Sequence, residues 1–272
     1  MEDKILTDNW LETNRKSWND RVDSHKNSVF YDLNLFKKTR DALMPIEKRE
    51  LGDVSNKSLL HLQCHFGMDT LSWAERGAMV TGVDFSEKAI DLAKELAVEL
   101  NYQNAHFIHA DIYDLPNHLK GQFDIVFTSY GTVGWLPDIN KWAKIIAYYL
   151  KPNGVFYIAD FHPFVWTLSN DFSKIEYNYF GGEAIVEIEE GTYADRNAPI
   201  KNASVSWNHS LSSIINTLIN NGLSIEFVNE FPYSPYNCFQ NTVLGDDGFY
   251  RIKGIENLIP MVYSIKAINT KK

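Results

Sequence analysis

The chain has 272 residues, of which 44% are hydrophobic and 22% are charged, as expected for a globular protein with a sizeable core. Its formal net charge of −9 argues against a surface built for phosphate backbones, so nucleic acid is a disfavoured partner. No apolar run approaches the ~20 residues of a membrane span, and no secretory signal is visible at the N-terminus. The two cysteines, Cys64 and Cys238, are too few for a disulfide framework. The protein is therefore predicted to be cytoplasmic.

Residues 1–50 are predicted to form a helical N-terminal region. Aromatic and apolar residues recur there at helical spacing, and the second predicted helix, 31–44, ends before a proline. Two interpretations remain open. The helices pack onto the rest of the chain as structural elements, or Trp18, His25 and Tyr31 form part of a lid over a bound ligand.

Strands and helices alternate from residue 58 onwards. The stretch 58–89 contains a short apolar strand, a tight turn, a helix, a second strand and an acid. Helices of ~10–15 residues separate the later strands, which predicts a parallel, doubly wound sheet with right-handed crossovers. The predicted strands of this part are 59–62, 79–83, 105–110, 123–129 and 155–160.

The pattern changes after the fifth strand. Residues 163–206 show no clear helix, and the segments 175–180 and 184–188 around Gly181 and Gly182 predict a β-hairpin. A helix and two further strands, 223–231 and 261–268, follow. Because no helix separates these two strands, they should pair antiparallel at one edge of the sheet. The sequence therefore predicts an N-terminal helical lid, 1–50, and an α/β domain, 51–272, with a seven-stranded, mostly parallel sheet and a small β insertion.

Ligands of open α/β sheets bind outside the carboxyl ends of the strands, where the strand order reverses. Two acids occupy such ends. Asp84 follows the second strand, 17 positions after Gly67, near the ~20 at which an acid is expected to take ribose hydroxyls. Asp111 follows the third strand and can accept a hydrogen bond from an adenine amino group. Either acid alone could cap a helix, but together they predict an adenosyl ligand.

Five segments carry a specific resemblance: LLHLQCHFGMDTLSWA, GAMVTGVDFSEKAI, FIHADIYDLP, FDIVFTSYG and LKPNGVFYIAD, between residues 58 and 160. Together they resemble the class I S-adenosylmethionine-dependent methyltransferases, and HLQCHFG resembles a subgroup of small bacterial members. The resemblance implies a Rossmann-like fold, S-adenosyl-L-methionine as cofactor and a small-molecule acceptor. It implies ribose binding by Asp84, adenine binding by Asp111 and Ile112, and contacts to the methionine end near Gly67. The cofactor positions implied are Gln63, Cys64, His65, Gly67, Asp84, Phe85, Asp111, Ile112, Ser129 and Tyr130.

The first motif departs from the family pattern. The family has an acid and three glycines where this chain has His61, Gln63, His65 and Gly67. Glycines at such places supply positive φ and let the backbone approach a ligand closely. Gln63 and His65 are therefore expected to fit without positive φ, or to contact the cofactor through their side chains. A metal site at His61 and His65 is disfavoured, because no second Cys/His pair completes a tetrahedral set.

Methyl transfer needs alignment more than covalent help, and a general base matters only for an acceptor that is protonated at neutral pH. His162, just past the fifth strand, is the first candidate for that base, although it could also simply cap a turn. Aromatic residues of the insertion and of the loop after residue 231 offer flat surfaces with polar edges for an acceptor. The candidate acceptor positions are Trp18, His25, Tyr31, Trp166, Tyr193, His209 and Tyr233.

Two other functions stay open. A nicotinamide-dependent oxidoreductase would need a glycine fingerprint for the pyrophosphate, where Gln63 and His65 stand. A cofactor-binding or interaction module without catalysis is the second alternative, because fold alone does not determine function. The acceptor, the methylated atom and the oligomeric state do not follow from the sequence.

Overall fold

A central sheet organises the computed structural model, which describes residues 2–271. The strands of the described residues are β1 (Ser58–Leu62), β2 (Met79–Asp84), β3 (Ala105–His109), β4 (Phe123–Ser129), β5 (Leu150–Phe161), β6 (Ile185–Glu190), β7 (Lys201–Ser206), β8 (Leu223–Phe231), β9 (Thr242–Leu244), β10 (Tyr250–Ile252) and β11 (Val262–Asn269). Seven of them form the central sheet in the order β3-β2-β1-β4-β5-β11-β8. The strands β1 to β5 are parallel, and β11 runs antiparallel to both β5 and β8. The predicted fold is confirmed.

The helices are α1 (Glu2–Asp8), α2 (Trp10–Lys26), α3 (Leu33–Thr39), α4 (Pro45–Leu51), α5 (Met68–Glu75), α6 (Glu87–Glu99), α7 (Leu115–His118), α8 (Ile139–Tyr149) and α9 (Leu211–Asn220). The start of α6 is set by Ser86, whose Oγ accepts a hydrogen bond from the Ala89 N–H at 3.2 Å. None of the helices within residues 2–271 combines the length and hydrophobicity that a membrane crossing requires.

The first strand is buried on both faces of the sheet. Leu59 packs with Phe127 in one hydrophobic cluster, whereas Leu60 packs with Val126 in another. Because successive side chains of a strand point to opposite faces, a continuous apolar run is what a central parallel strand requires. The strand order reverses between β1 and β4, so their carboxyl ends flank the point where ligands of such sheets bind.

The N-terminal helices differ from the prediction. The helix predicted over 31–44 ends at Thr39, where Arg40 adopts φ 59° and donates its N–H to the Phe36 carbonyl. A separate helix, α4, begins at Pro45. Proline is favoured in the first turn of a helix because its missing N–H would have no partner there. The proline taken as a helix terminator is therefore a helix start.

The insertion also pairs differently. β6 pairs antiparallel with β7, whereas the predicted partner segment 175–180 forms no strand. Gly181 explains the error, because a Cβ there would lie 2.2 Å from the Asn208 carbonyl oxygen. The Asn208 side chain also donates to the Asn178 carbonyl at 3.0 Å. The glycine therefore permits close packing against the loop before α9 and does not form a hairpin turn.

The N-terminal region is attached to this insertion. The Asn14 side chain in α2 donates to the Val205 carbonyl at 2.7 Å and accepts from the Val205 N–H at 2.8 Å. Both groups are buried, so each would lose a partner if α2 moved away. As a result, α2 and β7 together cover one end of the central sheet.

Candidate active site

A cavity of about 680 Å³ lies at the carboxyl ends of the parallel strands, between the sheet, α2 and the insertion. This volume falls within the range of roughly 300–1,000 Å³ that is common for small-molecule sites. All ten positions that the sequence predicted for a cofactor line it: Gln63, Cys64, His65, Gly67, Asp84, Phe85, Asp111, Ile112, Ser129 and Tyr130.

The turn after β1 keeps a glycine-type backbone without the glycines. Gln63, His65 and Gly67 have φ values of 58°, 50° and 78°. The expectation that Gln63 and His65 avoid positive φ is therefore wrong. A side chain in the left-handed region costs roughly 1–2 kcal/mol, so other interactions must hold these two residues in place.

Asp84 and Thr132 accept hydrogen bonds that help to keep Gln63 and His65 in this conformation. The Asp84 carboxylate accepts the His65 N–H and the Ser86 N–H, both at 2.8 Å. The Gln63 amide donates to the Thr132 carbonyl at 3.0 Å. Burial raises the pKa of Asp84 to about 6, although these backbone hydrogen bonds act in the opposite direction. Each carboxylate oxygen retains a second lone pair for a further donor.

Packing explains why Gly67 stays a glycine. A Cβ at this position would lie 2.6 Å from the Phe107 ring, and the φ of 78° is strained for other residues. The turn is thereby pressed against β3. A ligand can approach its backbone from the cavity side.

The end of β3 presents a second carboxylate. Asp111 accepts the Tyr113 N–H at 3.2 Å, and burial raises the pKa of Asp111. Ile112 beside it is buried. Trp10 of α2 also lines the cavity, with its ring 5.6 Å edge-on from Trp207. This end of the cavity combines flat apolar surfaces with one carboxylate.

The three predicted lid residues do not all face the cavity. Trp18 and Tyr31 line the cavity, but His25 lies behind the His65 ring instead of facing the cavity. His65 Nδ1 accepts the Phe66 N–H, so His65 Nε2 carries the proton and donates to His25 Nδ1 at 3.0 Å. His25 Nε2 therefore bears a proton and is buried without a partner among the described residues. Burial, followed by the charge of Arg21, lowers the pKa of His25 to about 3.

Of the remaining acceptor positions, Trp166 and Tyr193 line the cavity. His209 and Tyr233 do not, which corrects the prediction for both. The ring of His209 donates through Nε2 to the Leu136 carbonyl at 2.7 Å, which fixes it in the loop before α9. Tyr233 stacks on Phe249 at 4.3 Å between ring centres, in the segment that carries β9 and β10.

His162 lies outside the cavity. Its Nδ1 accepts the Phe164 N–H at 3.0 Å, and its Nε2 lies 2.9 Å from a Glu230 carboxylate oxygen on β8. Burial lowers the pKa of His162. The geometry therefore offers no support for the predicted general base and shows the alternative, a histidine that caps a turn.

Two features that shape the cavity were not predicted from the sequence, and only the second of them lines it. Asp160, buried at the end of β5, accepts the N–H groups of Thr132 and Val133 at 3.1 and 3.2 Å and so holds the loop after β4. Its strand-end position could have been found by the argument applied to Asp84. Arg21 is a buried cation that lines the cavity and bonds Glu189 at 3.1 Å. Nothing in the helical pattern distinguishes it from a surface arginine.

The described residues, 2–271, bring together no set of three His, Cys, Asp or Glu side chains suited to a metal ion. His61 is engaged elsewhere, because its Nδ1 pairs with the Thr70 hydroxyl at 2.8 Å.

Known proteins share this fold and part of this sequence. A family model described as a methyltransferase domain matches residues 53–209, more than half of the chain. The demethylmenaquinone methyltransferase of Lactococcus lactis subsp. lactis is 34% identical over 119 residues, which are 42% of this chain and 46% of that protein. A ubiquinone biosynthesis O-methyltransferase of Coxiella burnetii is 30% identical over 141 residues, 52% of this chain and 56% of that protein. The chain thus spans about half the length of the curated relatives it matches.

Two solved S-adenosylmethionine-dependent methyltransferases are similar in structure. The one from Mesorhizobium loti has a TM-score of 0.56 at 21% identity and covers 82% of this chain and 96% of its own. The one from Methanosarcina mazei has a TM-score of 0.56 at 16% identity and covers 85% of this chain and 99% of its own. At these identities the likeness shows the fold. With the sequence match over residues 53–209, the chain belongs to the methyltransferase domain family.

Proposed function

We propose that this chain is an S-adenosylmethionine-dependent methyltransferase that acts on a small-molecule acceptor. One observation carries the proposal. Every position that the resemblance assigns to the cofactor lines a single cavity, and the insertion encloses the other side of that cavity. A shared cavity is what methyl transfer requires, since cofactor and acceptor must meet in line.

The residues present fit an adenosyl cofactor. Asp84 offers free lone pairs to the ribose hydroxyls, and Asp111 with Ile112 offers an acceptor and an apolar wall to adenine. The turn ending at Gly67 allows close approach of the methionine end, and Ser129 would lie beside it. The same turn is less suited to the pyrophosphate of a nicotinamide cofactor, because Gln63 and His65 occupy the positions of the phosphate-binding glycines.

When bound, S-adenosylmethionine supplies a methyl group that is activated by the sulfonium. The chain then has to orient the acceptor and exclude water. Residues 1–50 would act as the lid, since Trp18 and Tyr31 line the cavity and Asn14 ties α2 to β7. The Trp18 ring lies 5.3 Å edge-on from the His65 ring and 5.4 Å from Trp135, which closes this wall with aromatic surface.

The acceptor side is aromatic and carries charged side chains. The Phe161, Trp166 and Phe239 rings pack edge-on, with centres 4.9 to 5.8 Å apart, and all three line the cavity. Glu187 on β6 also lines it and accepts the Tyr177 hydroxyl at 3.1 Å. Arg21 also lines the cavity, so charges of both signs face the acceptor, and the aromatic walls favour a flat acceptor.

Ligand-dependent unfolding tests the proposal. We expect S-adenosylhomocysteine and S-adenosylmethionine at millimolar concentration to raise the unfolding midpoint, and NAD to leave it unchanged. Ligand at 100 times its Kd stabilises by about 2.7 kcal/mol. An acceptor screen should then include demethylmenaquinone, for which one relative is named, together with simple phenols and aromatic amines. The proposal is wrong if neither adenosyl compound binds in calorimetry.

A further inference from the structure

A carboxylate in the first turn of α5 faces the cavity and has no cationic partner in the part of the chain that the structure describes. Asp69 lines the cavity, and its Oδ2 accepts the Ser129 hydroxyl at 3.0 Å. Within residues 2–271, no Lys, Arg or His side chain reaches it within 4.0 Å. Its desolvation raises the pKa of Asp69 to about 6.

Asp69 is half-buried at the cavity wall, and a partly desolvated carboxylate is stabilised by a positive charge beside it. The Ser129 hydroxyl satisfies one lone pair of Asp69 and brings no charge. The N-terminus of α5 adds only the partial positive charge of its first turn. The negative charge of Asp69 is therefore only partly compensated, and a cation that entered the cavity would be attracted to it.

Asp69 shares a hydrogen-bond partner with the residue that stands at the place of the missing acid. His61 stands where the family has that acid, and its Nε2 lies 3.4 Å from the Ser129 hydroxyl that also bonds Asp69. Burial lowers the pKa of His61 to about 3, so this ring is neutral. The negative charge thus comes from the helix after the turn, eight residues later in the chain than the usual place on the strand.

We propose that Asp69 binds the ammonium group of the cofactor's amino-acid end, with Ser129 orienting the carboxylate. The inference rests on the proposed function. Asp84 and Asp111 lie at the ends of β2 and β3, on the far side of β1 from Ser129 at the end of β4. The adenosyl half is assigned to those two strands, which leaves the amino-acid end to the region of Asp69. An ammonium has N–H donors for a carboxylate, whereas a sulfonium has none.

Asp69 could instead serve only as an acid that stabilises the start of α5. The two roles predict different ligand dependence. A helix-stabilising acid changes the unfolding midpoint of the free chain and affects all ligands alike. An ammonium-binding acid affects only the ligands that carry the ammonium.

Calorimetry on Asp69→Asn with three probes separates the roles. The probes are S-adenosylhomocysteine, its analogue with hydrogen in place of the ammonium, and 5′-methylthioadenosine, which lacks the amino-acid end. We expect Asp69→Asn to weaken S-adenosylhomocysteine binding about 10–100-fold, as for loss of a charged hydrogen bond, and to change the other two less than 3-fold. Asp91→Asn, on the exposed face of α6, is the matched control and should bind all three like the wild type.

Ser129→Ala provides a second variant that keeps the charge. It should weaken S-adenosylhomocysteine binding by a smaller factor, with the same dependence on the ammonium. Unchanged S-adenosylhomocysteine affinity in Asp69→Asn, or an equal loss for all three probes, would overturn this inference alone. A wild-type chain that binds none of the probes would overturn the proposed function and this inference with it.

Discussion

Glu47 is predicted to make the protein less stable as the pH rises. Its side chain in α4 is fully buried, and its carboxylate accepts the Tyr130 hydroxyl at 3.0 Å. Burial, followed by the negative charge of Asp69, raises the pKa of Glu47 from 4.5 to about 8. Between these values the folded chain keeps a proton that the unfolded chain has lost. Stability therefore falls as the pH rises through this window and levels off above the folded pKa.

The size of the effect follows from the shift. Each pKa unit corresponds to about 1.4 kcal/mol, so the full shift allows at most roughly 4–5 kcal/mol. Glu47→Gln has the same shape and does not titrate. We expect the free energy of unfolding of this variant, minus that of the wild type, to increase by about 1.4 kcal/mol per pH unit between pH 5 and pH 8.

Urea unfolding at pH 5, 6, 7 and 8, followed by tryptophan fluorescence and circular dichroism, measures this difference. Asp69 and Asp84 also have raised pKa values of about 6, but both are present in wild type and variant. Glu50→Gln is the matched control, because Glu50 lies in the same helix and accepts the Tyr157 hydroxyl at 2.9 Å. It should keep the wild-type slope. A difference between Glu47→Gln and wild type that stays constant within about 1 kcal/mol from pH 5 to pH 8 would refute the argument.

Three further predictions concern the cavity. Asp84→Ala should weaken S-adenosylhomocysteine binding sharply in calorimetry, since the carboxylate is lost together with the turn that it holds; wild-type affinity would remove Asp84 from the site. Gln63→Gly should have a free energy of unfolding about 1 kcal/mol higher than that of Gln63→Ala in urea unfolding. Both variants lose the side-chain hydrogen bond, but only alanine is strained by the left-handed backbone. The opposite order would show that φ at this position is unstrained. His162→Ala should retain turnover with an acceptor found by screening, because its ring faces Glu230 outside the cavity; a large loss of turnover would restore the general base.

Much of the cofactor half of the site follows from local sequence patterns. Each parallel strand shows as a short apolar run, and parallel strands all end at the same edge of the sheet. The residues at or just past the ends of β2, β3 and β4 therefore had to lie near one another, and Asp84, Asp111 and Ser129 do line one cavity. No knowledge of side-chain contacts was needed for this conclusion.

Side-chain direction and long-range partners could not be obtained in that way. His162 comes directly after β5, yet its ring pairs with Glu230 on another strand. The pair Gly181 and Gly182 resembles a hairpin turn, but the strand that pairs with β6 lies beyond it, at Lys201–Ser206. Asp69 looks like an ordinary first-turn acid until β4 places the Ser129 hydroxyl beside it.

The sequence by itself determined the alternating strands and helices of the central sheet, the edge of the sheet at which the candidate site lies and the acids at that edge. Periodicity and turn chemistry act over a few residues, so these features can be recognised locally. Only the tertiary structure decided that Gln63 and His65 adopt positive φ, that the insertion encloses the cavity and that no cation of the described residues pairs with Asp69. Those outcomes depend on packing between residues far apart in the chain, where burial sets the cost of each charge and each strained backbone.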